Sequence, residues 1–157
     1  MKKLLLSLAT IATLFTACTS DDESSNSTPT PTGEISGDFS ANRDYVKGNY
    51  TLKGTVRVKA GVTLSIAAGS VITADVTDGV DALVVANGVK ETLIGTAAEP
   101  IVFTHLTKVA GSWGGIIIYG DAPIVGASSV TSATSEDGLT SSLTGTAYTY
   151  GGNNATH

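Results

Sequence analysis

Three aspartates spaced three residues apart are the first group in this chain whose type and spacing could do chemistry. Asp75, Asp78 and Asp81 lie in one predicted turn that begins at Ala74. Carboxylate oxygens are ligands that Ca²⁺ prefers, so the three side chains could chelate a calcium ion. The turn lacks the alternating ligands of an EF-hand loop. The alternative interpretation is that these three aspartates are solvated turn residues. Asp121, further along the chain, is a fourth candidate carboxylate.

Aromatic residues and one histidine are the remaining candidates for a site. Four aromatic residues, Trp113, Tyr119, Tyr148 and Tyr150, could form a surface that stacks on sugar rings. The alternative is that the Trp113 indole caps a buried strand that begins at Gly114-Gly115. His105 has no cysteine or second histidine near it in sequence, which is poor support for a metal site or a catalytic triad. None of the motifs GxGxxG, GxxxxGK[ST], HExxH and GxSxG occurs. We therefore expect no catalytic residue and, calcium aside, no cofactor.

The N-terminus contains the single cysteine of the chain, Cys18. Lys2 and Lys3 precede a mainly apolar stretch from Leu4 to Phe15, which is too short for a comfortable transmembrane helix and suits a secretory signal. The residues up to Cys18 resemble the lipobox of bacterial lipoprotein signals, with Phe15 where an aliphatic residue is usual. That resemblance implies cleavage before Cys18 and acylation of the cysteine. The alternative is an ordinary secretory signal followed by an incidental free thiol.

An acidic cluster, Asp21, Asp22 and Glu23, follows the cysteine. It resembles the surface-export signal of lipoproteins from the Bacteroidota, which implies an outer-membrane anchor that faces the cell exterior. The alternative is that these charges only keep a tether solvated. Residues 24–33 (SSNSTPTPTG) cannot build a core, and their prolines keep the segment extended. We therefore expect a signal peptide over residues 1–17, and the lipidated cysteine, export patch and tether over 18–33.

Charge and composition exclude several classes of function. The net charge is −5, and loss of Lys2 and Lys3 with the signal makes it −7. The basic residues after the signal lie apart, so nucleic-acid binding lacks its electrostatic footprint. The acidic balance also argues against electrostatic docking on anionic lipid, which leaves the lipid anchor as the contact with the membrane. A single cysteine excludes an intramolecular disulfide, and the one apolar segment, a cleavable signal, excludes a transporter.

The chain after the tether repeats a pattern of short strands and turns. Val56 to Val62 (VRVKAGV) is echoed by Leu83 to Val89 (LVVANGV), 27 residues later, and more loosely by Ile116 to Ala122. Leu64 to Ile72 likewise resembles Leu93 to Phe103, with a small insertion in the second copy. Each unit predicts three strands, as in one coil of a parallel β-helix, whose coils stack about 4.8 Å apart and share one apolar core. A sandwich of antiparallel strands is the alternative all-β fold.

The ordered series of motifs resembles a family of Bacteroidota outer-membrane lipoproteins with a right-handed parallel β-helix. The segments that carry the resemblance are Val58 to Ile72, Ala82 to Val85, Glu99 to Thr104 and Trp113 to Pro123. The resemblance implies an all-β solenoid over residues 34–157. It also implies that the solenoid is incomplete at its C-terminus, because family members run through more coils. Residues 126–147 are expected to be a Ser/Thr-rich excursion from the coil.

These expectations favour a non-enzymatic, lipid-anchored module at the cell surface. Its partner would be a glycan or a surface or host macromolecule, or it would act as a scaffold. The alternative is a carbohydrate-active β-helix enzyme, similar to polysaccharide lyases and hydrolases, whose active site lies on coils beyond this chain. The resemblance implies fold and location and leaves the chemistry open.

Overall fold

The computed structural model describes residues 30–75, 77, 79–124, 132–141 and 144–153. The regular elements in this part of the chain are all strands: β1 (Thr32–Phe39), β2 (Arg43–Tyr45), β3 (Asn49–Val58), β4 (Thr63–Ile66), β5 (Val71–Ala74), β6 (Ala82–Val85), β7 (Lys90–Thr92), β8 (Val102–His105), β9 (Gly115–Ile118), β10 (Ala133–Thr134) and β11 (Thr149–Tyr150). None of the described residues belongs to a helix that could cross a membrane.

Parallel pairing stacks β1 to β9 into coils with three faces. Face A contains the first halves of β1 and β3, followed by β5 and β8. Face B contains the second halves of β1 and β3, followed by β6 and β9, and face C contains β2, β4 and β7. The long strands β1 and β3 turn from face A into face B at Gly37 and Gly54, whose φ angles of 72° and 61° favour glycine. This architecture confirms the predicted parallel β-helix over the antiparallel sandwich.

The register of face B confirms the main sequence repeat. Val56 pairs with Leu83, and Leu83 pairs with Ile116, as the echo of the motif predicts. The second repeat is correct only in its final strand, because Ile72 pairs with Phe103. Its start is wrong, since Leu64 pairs with Glu91 and not with Leu93. The connection between β7 and β8 is longer than the connection between β4 and β5. The two copies of the repeat therefore align at β5 and β8 but not at β4 and β7.

Stacked inward-facing side chains form the core, one column for each inward position. One column contains Phe39, Val58, Val85 and Ile118 in successive coils. The first three are buried, whereas Ile118 is 60% exposed because β9 has no further coil stacked on it in the described part of the chain. Burying columns of β-branched and aliphatic residues supplies the main favourable term in folding of such a coil.

A short antiparallel pair leaves the coil after face B. β10 pairs with β11, and Thr140 bridges Ala147 between them. We call residues 132–141 and 144–153 the flap. They include the described part of the predicted Ser/Thr-rich excursion. At the other end of the coil, β1 begins at Thr32, two residues before the predicted start of the β-helix domain.

Candidate ligand-binding groove

The predicted lipidation and export residues lie outside the described part of the chain. Cys18, Asp21, Asp22 and Glu23 precede residue 30, and Asp78 is likewise among the residues that the structure does not describe. The lipid anchor, the export signal and the calcium site therefore stay predictions.

Asp75, at the start of the predicted calcium turn, has protein partners. Its Oδ1 accepts a hydrogen bond from the Thr77 backbone N at 3.2 Å. Its Oδ2 lies 3.8 Å from Nζ of Lys53, which also contacts Glu34 at 3.2 Å. Within the described residues, no group of three or more His, Cys, Asp or Glu side chains is arranged to hold a metal ion.

Asp81 lies in a corner of the coil and not on a solvated turn. It is 1% exposed, and its Oδ1 accepts a hydrogen bond from the Gly54 backbone N at 2.7 Å. Its backbone O accepts a second one from Gly114 N at 2.7 Å. The interpretation of Asp81 as a solvated turn residue is therefore wrong. Asp81 therefore connects three successive coils at the corner where face A turns into face B. Its two oxygens are the acceptors that the buried N–H groups at this corner need.

His105 and Trp113 contribute to the end of the core. His105 continues the inward column of Leu52 and Ala74, is buried, and its Nδ1 accepts a hydrogen bond from Thr107 N at 3.1 Å. Trp113 is half-buried and packs against the core. Its position suits the alternative interpretation of the indole as a cap on the coil better than a surface for sugars.

Tyr119 is almost entirely enclosed. It is 6% exposed, and its ring stacks on Tyr148 of the flap with centroids 4.8 Å apart and an angle of 16° between the planes. Its hydroxyl donates a hydrogen bond to Oδ2 of Asp137. Burial, together with this bond, raises the pKa of Tyr119, and the same bond lowers the pKa of the Asp137 carboxyl. Tyr119 thus has little surface left for a ligand, while the half-buried Tyr148 beside it has more.

Several contacts fix the flap against the coil. Gly151 N donates to Gly120 O at 2.8 Å, and Asn87 Nδ2 lies 3.4 Å from Gly151 O. Burial raises the pKa of Tyr148, and the charges of Arg57 and Asp38 act on its phenol in opposite directions. Val84, the outward-facing neighbour of Arg57 on β6, is completely buried.

A groove of about 520 Å³ runs between the flap and the turns that follow face B. The flap contributes Ser141, Thr146, Ala147, Tyr148 and Thr149, and the coils contribute Ser40, Lys59, Ala60, Val62, Ala86 and Asn87. Its described lining residues therefore include one tyrosine with its ring and hydroxyl, four serine or threonine residues, one asparagine and one lysine.

The coils place the floor of the groove in register. Lys59 N donates to Phe39 O at 3.1 Å, and Ala86 N donates to Val58 O at 3.0 Å. These bonds continue the face B ladder by one residue, so that Ser40, Lys59 and Ala86 stack in successive coils. The groove thus crosses three coils along the axis of the solenoid.

A second depression, of about 390 Å³, lies on face A. Thr32, Thr51 and Thr73 are among its lining residues, together with Asp75 and Leu106. Among the described residues that line it, the one aromatic residue is Tyr50, which points into the core and whose hydroxyl donates to Val46 O at 2.7 Å. The groove under the flap is the better candidate for a ligand because a half-buried aromatic ring lines it.

A family model described as a pectate-lyase-like β-helix domain matches residues 37–157 of the chain. No curated protein matches the chain, and no solved structure does.

Proposed function

Because the chain belongs to the pectate-lyase-like β-helix domain family, we propose that it is a non-enzymatic carbohydrate-binding module whose site is the groove under the flap. The observation that carries the proposal is the composition of this groove, in which the Tyr148 ring lies among hydroxyl and amide side chains. Sugar rings present apolar C–H faces and many hydroxyls. Aromatic faces and convergent polar groups are the protein partners that such a ligand needs.

The Tyr148 ring is held in place before any ligand arrives. It stacks on Tyr119, whose hydroxyl donates a hydrogen bond to Asp137, so the ring that Tyr148 packs against is itself fixed. A ligand that stacks on such a ring costs less conformational entropy than one that must order a mobile side chain. This supports Tyr148 as the anchor residue, with Asn87 and Thr149 as hydrogen-bonding partners at the groove walls.

Glycan binding can be tested with a matched pair of tyrosines. Tyr148 lines the groove, whereas Tyr150, two residues later on β11, is 36% exposed and does not line it. On a glycan array followed by calorimetry, Tyr148→Ala should weaken binding at least about tenfold, equivalent to ~1.4 kcal/mol. Tyr150→Ala should bind like the wild type. An array without any bound glycan, or full affinity in Tyr148→Ala, would contradict the proposal.

We also propose that the module is displayed on the cell surface of a member of the Bacteroidota. The sequence supports this through the lipobox-like Cys18, the acidic cluster Asp21 to Glu23, the tether, and the resemblance to right-handed β-helix lipoproteins. Fatty-acid labelling should succeed in the wild type and fail in Cys18→Ala. Protease treatment of intact cells should remove the domain, and protection of the domain would argue for a periplasm-facing anchor.

The alternative is a carbohydrate-active enzyme, with which the family description is equally compatible. Its acid and base would lie on coils beyond this chain. Release of reducing ends or unsaturated products from a polysaccharide panel by the full-length protein would support the enzyme. Binding without turnover would support the module.

A further inference from the structure

We infer that the loop of residues 106–112 is released when His105 is protonated, so that the corner between β8 and β9 opens in acidic surroundings. The loop joins β8 to Trp113 and β9. No further coil stacks on β8 in the described part of the chain, so this loop is the element that hydrogen bonds to the His105 ring. The inference does not depend on glycan binding.

His105 is bonded in a way that suits only a neutral ring. The residue is 3% exposed, and the backbone N–H of Thr107 points at its Nδ1 from 3.1 Å. Because a backbone N–H can only donate, Nδ1 must provide a lone pair, and the ring proton belongs to Nε2. Nε2 is buried and has no hydrogen-bond partner among the described residues.

A second proton makes this arrangement unfavourable. An imidazolium has two N–H donors and no acceptor, and a buried charge is costly unless it is paired and hydrogen-bonded. The Thr107 hydroxyl, 2.9 Å from Nδ1, can accept one bond, but the backbone N–H of the same residue then points at a positively charged ring. The other ring donor, on Nε2, stays without an acceptor among the described residues.

The ionisable side chains of faces A and B point away from the ring. Lys53 and Arg57 on β3, and Asp75 after β5, each lie next to an inward residue and form ion pairs on the outer surface. β5, β6 and β9 contain no ionisable side chain. Lys108, in the loop itself, is exposed and has the same sign of charge as an imidazolium. None of these groups is a counterion for the buried ring.

Two carboxylates on neighbouring elements are the remaining candidate counterions. Asp81, in the corner above, accepts a hydrogen bond from Gly54 N through its Oδ1. Glu91, on β7, is exposed and belongs to face C. If either carboxylate neutralised the imidazolium, the loop would stay closed in acid, and that result would overturn the inference.

The loop depends on the same ring for its position. Thr107 connects the ring to Ser112, whose Oγ lies 3.0 Å from the Thr107 Oγ1, and Lys108 N donates to His105 O at 3.1 Å. The residues from Leu106 to Gly111 are all exposed, so little apolar burial holds them. Lys108 also has a φ of 53°, a conformation that is costly for a residue with a side chain. Loss of the bond to Nδ1 therefore favours opening, which lets water reach the charged ring.

Hydrogen exchange of the full chain between about pH 8 and 5 tests the inference, because histidine side chains change charge in this range. His105→Asn is the matched variant, since its amide oxygen can accept from Thr107 N and does not titrate. Dividing the wild-type rates by those of the variant at each pH removes the intrinsic pH dependence of exchange. The ratio for residues 106–112 should rise at least about fivefold towards the acidic end, as expected for the loss of one hydrogen bond. Acrylamide quenching of the half-buried Trp113 should increase over the same pH range.

Two controls locate the effect. The chain has one other histidine, His157, so His157→Ala should behave like the wild type. Exchange in β3, which lies two coils away from β8, should show no rise in the ratio because the release is local. Equal pH profiles for the wild type and His105→Asn would overturn the inference, and so would a rise that disappears in His157→Ala.

A measurement on the wild type alone covers the case in which a thermal melt shows that His105→Asn does not fold. In NMR spectra, the ring signals of His105 report its protonation and the amide signal of Thr107 reports the closed loop. The amide should lose its protection as the ring gains its second proton. A Thr107 amide that stays protected beside a protonated ring, or a ring that stays neutral down to about pH 5, contradicts the proposed release.

Discussion

Replacing Asp81 by alanine should lower the free energy of unfolding by about 2 kcal/mol. The variant leaves the Gly54 N–H without the acceptor that it now has at 2.7 Å, and an orphaned buried donor costs about 1–3 kcal/mol. The bond from Gly114 N to the Asp81 backbone O is retained, so the loss is confined to the side chain. Asp81→Asn keeps an oxygen acceptor but loses the charge. Because charge-assisted bonds are about twice as strong as neutral ones, it should cost roughly half as much.

The unfolding can be followed by the fluorescence of Trp113, the single tryptophan, which directly precedes Gly114. Urea titrations of the wild type, Asp81→Ala and Asp81→Asn give the three free energies. Asp44→Ala is the control, because Asp44 is exposed on β2, and it should stay within about 0.5 kcal/mol of the wild type.

Two results would refute the corner role of Asp81. The first is a change of less than about 0.5 kcal/mol in Asp81→Ala, the range of ordinary surface substitutions. The second is calcium-dependent stabilisation of the wild type that disappears in Asp81→Asn, since a ligand that binds only the folded state raises stability. That second result would instead support the calcium site predicted from the sequence.

Three further substitutions test other parts of the structure. Leu52→Ala should cost about 2–5 kcal/mol in urea unfolding because Leu52 is 1% exposed, whereas Leu106→Ala, at 63% exposed, should cost less than about 0.5 kcal/mol. Gly114→Ala should destabilise by about 1–3 kcal/mol because its Cβ would lie 2.9 Å from two side chains, while Gly120→Ala, with nothing within 4 Å, should melt like the wild type. Tyr119→Phe should speed hydrogen exchange in the flap at neutral pH. The bond to Asp137 lowers the pKa of that carboxyl, so the difference between wild type and variant should begin to shrink below the ordinary aspartate pKa of 3.8 and close only below the lowered value.

The stacking of the coils could be predicted because the spacing between repeated motifs equals the number of residues in one coil. Val56 and Leu83 are 27 residues apart and share apolar and glycine positions with their neighbours, and the structure pairs them directly. In a parallel β-helix, residues that are one repeat apart in sequence lie next to each other in neighbouring coils. A sequence repeat therefore predicts which strands pair. The prediction was wrong at Leu64 because an insertion changes the spacing without changing the residue types, and Glu91 occupies the position expected for an apolar residue.

The burial of individual polar residues could not be predicted in the same way. Asp81 follows a turn with a glycine and other aspartates, a composition typical of solvated loops. Its burial depends on the hydrogen bond from the Gly54 N–H of the preceding coil. The two residues are 27 positions apart, and no local sequence pattern predicts their contact. The repeat does predict that Ile118 points inward. Its 60% exposure, however, depends on whether another coil stacks on β9, which the repeat does not show.

The candidate site lies where the repeat is interrupted, and this explains why the sequence offered its aromatic residue, Tyr148, but not the groove around it. The regular coils provide a floor of small residues, Ser40 and Ala86, with Lys59 between them. The flap, which does not follow the repeat, provides Tyr148 as a wall. Neither part carries a recognisable motif alone, because the groove exists only once β10 and β11 pair and Tyr148 stacks on Tyr119. A solenoid can thus acquire a specific ligand by varying one excursion while its stacked core stays unchanged.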